Sequence, residues 1–239
     1  MNEKVKHINP RYRLKDGRGV LCAIEGIDGA GKTTHVKFLH DYIRYTMGFD
    51  TVMTREPGGT PFSENLRTIL FDGRSKETSK TVQALLVSTA RRDHVERVIM
   101  PAIKEGKVIF CDRFFLSTMM YQRGADDLDS IIHIGAAWIQ PHVTLLFDVD
   151  PLVGLSRTKG RNASGGDSNW LDNSELAEVT ARRDVSLAYA NSRPLDVIRF
   201  DANKPLHDVQ EYVASWMNKS FIPMLGGLVD EAKSAALPR

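Results

Sequence analysis

Val20-Leu21-Cys22-Ala23-Ile24-Glu25-Gly26-Ile27-Asp28-Gly29-Ala30-Gly31-Lys32-Thr33-Thr34 decides how this chain reads. An apolar run of strand character meets a glycine-rich turn, and the turn runs into Lys-Thr-Thr and a helical pattern. Gly26 to Thr33 satisfies G-x-x-x-x-G-K-[ST]. Such a loop turns successive backbone N–H groups inward as an anion nest, and the next helix points its positive end at the same anion. A bare match arises by chance, but here both flanks supply the strand-then-helix context. The stretch Gly26, Ile27, Asp28, Gly29, Ala30, Gly31, Lys32, Thr33 and Thr34 is therefore the expected triphosphate site. Lys32 is expected at the β- and γ-phosphates, with the Thr33 hydroxyl on Mg²⁺.

Composition fits one α/β domain: 239 residues, 42% hydrophobic and 26% charged, enough for a substantial core. Lys and Arg total 32 against 30 acids, a net charge of +2, so no dedicated nucleic-acid binder is indicated. No run of about 18 apolar residues spans a membrane. Cys22 and Cys111 fall in apolar runs, which suggests buried reduced thiols in a cytoplasmic protein rather than a disulfide.

The boundaries read as a basic N-terminal extension over 1–19, a catalytic domain over 20–218 and a tail over 219–239. The extension reads as a solvated arm rather than a contact with an acidic partner. Val36, Leu39, Ile43 and Met47 predict a helix from Lys32 to Met47. A second strand follows over Asp50–Thr54. Arg55-Glu56-Pro57-Gly58-Gly59 then breaks regular structure, at the carboxyl end of a strand where ligands of parallel sheets bind. Leu66, Ile69 and Leu70 mark a short helix carrying Arg67.

A long helix is expected from Thr81 to Lys104, with Pro101 kinking or ending it. Arg91 in its middle is either a solvated arginine or a donor to a base edge. A strand over Lys107–Cys111 ends in Asp112-Arg113, a carboxylate placed for Mg²⁺ beside a phosphate-gripping arginine. Further helices are expected over Asp126–Ile139, from Pro151 through Arg157, from Asp172-Asn173-Ser174-Glu175 (a capping signature) to Tyr189, and over Pro205–Met217. Strands are expected over Val143–Val149 and Asp196–Phe200. The polar segment from Thr158 to Asn173 is either a tolerated insertion or a lid delivering Arg157 or Arg161 to the transferred phosphoryl group. Alternating strands and helices predict a parallel sheet covered on both faces.

Four stretches resemble the thymidylate kinases of the nucleoside monophosphate kinase group: Glu25–Thr34, Thr54–Thr60, Arg91 with Val95–Pro101, and Asp112–Gln122. The resemblance implies a three-layer α/β/α fold with a five-stranded parallel sheet, a homodimer, and transfer from ATP with Mg²⁺ to a deoxypyrimidine monophosphate, dTMP. By motif it assigns Lys32 and Thr33 to ATP and its metal, and Asp28 to the acceptor's sugar. Arg113, with Arg55 and Arg67, would take the acceptor phosphate, and Arg91 a base carbonyl. Pro57, Leu70, Val87, Thr118, Met120, Tyr121 and Gln122 would line the acceptor pocket. Ala30 stands where some members carry arginine, which shifts the expected catalytic arginines to Arg157 and Arg161.

Three positions depart from the family pattern. Val87 replaces a stacking phenylalanine. Met119 and Met120 replace small residues, where they are expected to cover the base. Asn173 stands where an arginine is common. These departures raise dUMP, or a 5-substituted dUMP, as an alternative acceptor. A rival of a different class is a nucleotide-dependent switch or assembly ATPase built on the same loop, although no switch signature is present.

Overall fold

The computed structural model describes residues 19–137, 139–165 and 169–226. The basic arm over 1–18, part of the expected lid and most of the tail lie outside them. Five parallel strands, β1 (Val20–Glu25), β2 (Thr51–Arg55), β3 (Val108–Asp112), β4 (Val143–Asp148) and β5 (Val197–Asp201), lie in the order β2-β3-β1-β4-β5. β1 is central, with Ile24 opposite Asp112 on one side and Leu145 on the other.

Strand side chains alternate between faces, and β1 divides the core accordingly. Cys22 and Ile24 pack with Val36, Leu39, Phe147, Phe200 and Val213 on one face. Leu21 and Ala23 pack with Ile99, Ile109, Phe114 and Ile132 on the other. Because both faces are covered, β1 is apolar almost throughout and wholly buried.

The first face carries α1 (Lys32–Asp41) and α9 (Leu206–Trp216), each running into a wider π-helical turn, Tyr42–Thr46 and Met217–Phe221. A short α10 (Ile222–Gly226) closes the described chain. On the other side stand α2 (Pro61–Phe71), α3 (Lys80–His94), α5 (Phe115–Tyr121), α6 (Leu128–Ala136) and α8 (Leu176–Ser192). Thr60 caps α2 by accepting the Ser63 N–H at 3.0 Å.

The expected long helix does not end near Pro101. α3 passes through a π-helical turn, Val95–Ile99, into α4 (Met100–Lys104), where the Met100 N–H bonds the Val95 carbonyl. That wider register just ahead of Pro101 eases the clash and missing donor a proline brings to a helix.

Two further expectations change. α7 runs from Pro151 to Ala163, so the irregular lid begins later than Thr158 and both Arg157 and Arg161 stand on a helix. The capping signature at Asp172 does not start α8, whose N-terminus has no side-chain cap. Asp172 instead closes a capping box with Asn169 around the 3₁₀ turn Trp170–Asn173.

α6 crosses α3 closely at Gly135. A Cβ there would stand 2.8 Å from the Ser88 Cβ and 2.9 Å from its Cα and carbonyl oxygen. Gly135→Ala is therefore expected to cost about 1–3 kcal/mol through overpacking, read as a lower urea midpoint at unchanged slope. An unchanged midpoint would mean the crossing is looser than described.

Candidate active site

The carboxyl ends of β2 and β3 and the loop after β1 border one cavity of about 950 Å³. One wall is the loop after β1. It can take its shape because Gly26 and Gly29 have φ of 145° and 78°, and because a Cβ on either would strike a carbonyl, of Phe147 and Gly154 respectively. Gly31 precedes α1 and leaves the helix N-terminus open to the cavity. Lys32 is buried and donates to the Ile27 carbonyl at 2.8 Å. Its pKa is pushed down to about 8, by burial first and then by Arg113, against the pull of Asp28, Asp112 and Glu25.

Thr33 Oγ1 donates to Asp112 Oδ2 at 2.6 Å, so the loop and the end of β3 bring two hard oxygen ligands together. That donor set suits Mg²⁺, which binds through few protein oxygens and keeps other positions for phosphate and water. Among the described residues, Glu56, His94 and Cys111 also cluster. That group does not suit a cation: Arg91 Nε already donates to Glu56 at 2.6 Å, and both His94 ring nitrogens are engaged, by Glu56 at 3.1 Å and Thr54 at 2.7 Å.

A second wall, adjoining the loop, is cationic. Arg113 holds a φ of 72° at the turn between β3 and α5. It pairs with Asp28 and donates to Ser117 Oγ at 3.0 Å and the Gly26 carbonyl at 3.3 Å. Arg67 donates to the Pro57 carbonyl at 3.0 Å, and Arg55 bonds Glu64 at 3.0 Å. Burial, then Arg55, lowers the Arg67 pKa, with Arg113 adding to the effect. Arginines that repel one another on one wall favour a multiply charged anion between them. Asp28 also accepts the Tyr121 hydroxyl at 2.7 Å. Burial alone would raise its pKa, but Arg113, Lys32, that hydrogen bond and Arg182 together hold it near 2.

Deeper in, Arg91 Nη2 donates to Thr118 Oγ1 at 2.9 Å, while its Nη1 is buried with no hydrogen-bond partner. Leu70, Val87, Thr118 and Gln122 line this end, as expected. Met120 does not. It packs in the core beside Phe115 and Ile132, with Met119 against the same cluster. On α5 the cavity face is taken by Ser117, Thr118 and Tyr121, which turns the intervening methionines away from the cavity.

α7 supplies the third side. Arg157 Nη1 donates to the Ala202 carbonyl at 2.9 Å, and Arg161 bonds the buried Asp172 at 3.0 Å. A second hollow of about 220 Å³ adjoins Arg157, lined by Gly29, Ala30, Gly31, His35, Ala202 and Lys204 among others.

Residues 24–213 match the family model described as thymidylate kinase. The chain belongs to that family. It is 39% identical over 214 residues to the thymidylate kinase of Ruegeria pomeroyi, covering 85% of this chain and 99% of that one. It is 38% identical over 197 residues to the thymidylate kinase of Geobacillus sp., covering 80% and 92%. A crystal structure of thymidylate kinase from Ehrlichia chaffeensis superposes with a TM-score of 0.63 at 26% identity, covering 84% of this chain and 98% of that one.

Three groups at the site carry no role in the sequence reading. Glu25 is wholly buried at the end of β1 and accepts the N–H groups of Phe114 at 2.8 Å and Ser117 at 3.1 Å, and the Ser117 hydroxyl at 2.6 Å. Burial raises its pKa more than these bonds and Arg113 lower it. An acid closing an otherwise apolar strand was the available signal. Trp170 bonds the Leu70 carbonyl at 3.2 Å and lines the cavity, hidden in a segment read for its charges. Ala202 and Lys204 follow β5, with no motif to mark them.

Asp28 links the site to stability. A carboxylate whose folded pKa is depressed stabilises the fold above its unfolded value near ~3.9 and loses that contribution as pH falls through the folded value of about 2. The stability advantage of the native chain over Asp28→Asn should therefore be constant near neutrality and shrink below pH ~4, measured by urea unfolding at stepped pH. A pH-independent gap would detach Asp28 from the ion pair.

Proposed function

We propose that this chain transfers the γ-phosphoryl group of ATP to dTMP, giving ADP and dTDP. One observation carries the reading: the anion nest with Lys32 and the cluster Arg55, Arg67 and Arg113 line the same cavity. An acceptor phosphate held by the arginines then stands opposite a γ-phosphate held by the nest. An acceptor oxygen attacks the γ-phosphorus, the bond to the β–γ bridging oxygen breaks, and its electron pair leaves with ADP. Little covalent work falls to the protein; alignment and charge neutralisation do it. Lys32 holds the β- and γ-oxygens. Arg157 and Arg161 approach from α7 as charge shifts towards ADP. Thr33 and Asp112 would hold Mg²⁺, which supplies further neutralisation of the phosphate oxygens when bound.

The base lies against Leu70, Val87 and Gln122, where the unpartnered Arg91 Nη1 donates to a base carbonyl. Asp28 and Tyr121 take the sugar. The nucleoside of ATP extends into the smaller hollow beside Arg157. The relatives do not favour dUMP, a 5-substituted dUMP or a switch ATPase, and Met119 and Met120 in the core remove one argument for an altered base. The two buried free thiols fit a reducing cytoplasm, and no helix among the described residues is long and apolar enough to cross a membrane.

A homodimer fits the outer helices. α3 packs against both α2 and α6. Together they expose Phe62, Ile69, Val82, Leu85 and Ile134, apolar side chains that a second copy would cover. Leu85→Glu should convert a dimer to a monomer in light scattering; a dimer that persists would move the interface elsewhere.

Arg113→Ala should nearly abolish dTMP-dependent ADP release while calorimetry still registers ATP binding. Turnover within about tenfold of the native rate, about 1.4 kcal/mol of barrier, would remove Arg113 from the acceptor site.

A further inference from the structure

Tyr121 carries two guanidinium groups. The Arg113 carbon lies 5.0 Å from its ring centroid and the Arg182 carbon 4.7 Å. Arg113 belongs to the cavity wall. Arg182 comes from α8, lies outside the cavity lining and is nearly buried. It adds a positive charge to a region that already holds Arg113 and Lys80, whose ammonium donates to the Tyr121 carbonyl at 3.2 Å. The facing acids are Glu178, 3.6 Å from Arg182, and Asp28 beyond the ring.

The same Arg182 guanidinium has a second contact that explains its position. Its Nη1 donates to Ser174 Oγ at 2.8 Å, and the same hydroxyl donates to the Leu171 carbonyl at 2.6 Å. Leu171 belongs to the Trp170–Asn173 turn and lines the cavity. One guanidinium thus touches both the close of the lid segment and the sugar-side tyrosine. A flat guanidinium suits both tasks, stacking by its face while donating in its plane.

We infer that Arg182 is a positioning residue that couples the lid turn to the acceptor pocket, holding the Tyr121 hydroxyl on Asp28 while it anchors Ser174. The inference rests on the proposed acceptor role of Asp28 and Tyr121. It does not require Arg182 to touch either substrate.

Steady-state kinetics on the full chain test it. Arg182→Met should raise KM for dTMP by about tenfold, the scale of a buried cation–ring contact, with KM for ATP unchanged. Arg182→Lys, which keeps a cation over the ring, should recover most of that loss. Ser174→Ala should raise KM for dTMP by a smaller factor and add nothing to Arg182→Met. In a Tyr121→Phe background, Arg182→Met should have no further effect, because the hydroxyl it positions is gone. The inference is overturned if Arg182→Met leaves KM for dTMP unchanged, raises both KM values alike, or acts fully in the Tyr121→Phe background. If Arg182→Met does not fold, Ser174→Ala and Arg182→Lys decide alone: an unchanged KM for dTMP in Ser174→Ala overturns the coupling, as does an Arg182→Lys protein as impaired for dTMP as Tyr121→Phe. Should Tyr121→Phe itself leave KM for dTMP unchanged, the acceptor-pocket reading fails. A rise in Tyr121→Phe without one in Arg182→Met sinks only the coupling.

Discussion

A carboxylate with no access to water ties the first strand to the cationic wall. Glu25 ends β1 and reaches the start of α5, where it accepts two backbone N–H groups and a hydroxyl. Burying a carboxylate costs several kcal/mol, and the hydrogen bonds to it, each contributing about 1.5–3 kcal/mol, offset part of that cost while burial still holds its pKa up. Those acceptor bonds fix the first turn of α5. The chain just before it carries Arg113 in a left-handed conformation that a non-glycine residue enters only when its surroundings hold it there. Arg113 then donates to Ser117 Oγ, which donates to Glu25, so one relay runs from the buried acid to the cationic wall.

The same constraint orders charge across the cavity. Asp28 offsets Arg113, Asp112 receives Thr33, and Glu56 offsets Arg91. Arg113, Arg55 and Arg67 are each held by a hydrogen-bond partner, which keeps them aimed at the cavity. Catalysis by positioning requires this, because donors already oriented need not reorganise as charge develops.

Much of the fold was legible because its signals are local. The apolar run of β1, the turn glycines and the helix after Lys32 obey short-range rules, and parallel order follows from alternation. Asp112 and Arg113 were legible because an acid at a strand end beside a P-loop has few other uses. What sequence did not reveal depends on orientation. Nothing in Met119-Met120 says which way α5 turns, and packing sends both methionines into the core. Asp172 reads as a cap, and it is one, but of the 3₁₀ turn rather than of α8. The lid looked irregular from Thr158 because its glycines and polar residues lower helix propensity, whereas α7 continues through them to Ala163. The roles of Glu25 and Arg182 are hard to read for a different reason: the contacts of Glu25 at α5 and of Arg182 at Tyr121 span some 60 to 90 positions.

Gly29, Gly31 and Arg157 border both hollows, the larger of about 950 Å³ and the smaller of about 220 Å³. The loop is therefore a shared partition rather than the floor of one pocket. A single inhibitor with a head in each compartment would turn its second binding event into an intramolecular one and benefit from the resulting effective concentration. Its linker would have to pass Arg157, which is bonded to the Ala202 carbonyl. A linker bearing an acceptor for that guanidinium would replace the bond it displaces, while a plain hydrocarbon linker would leave that cation unsatisfied.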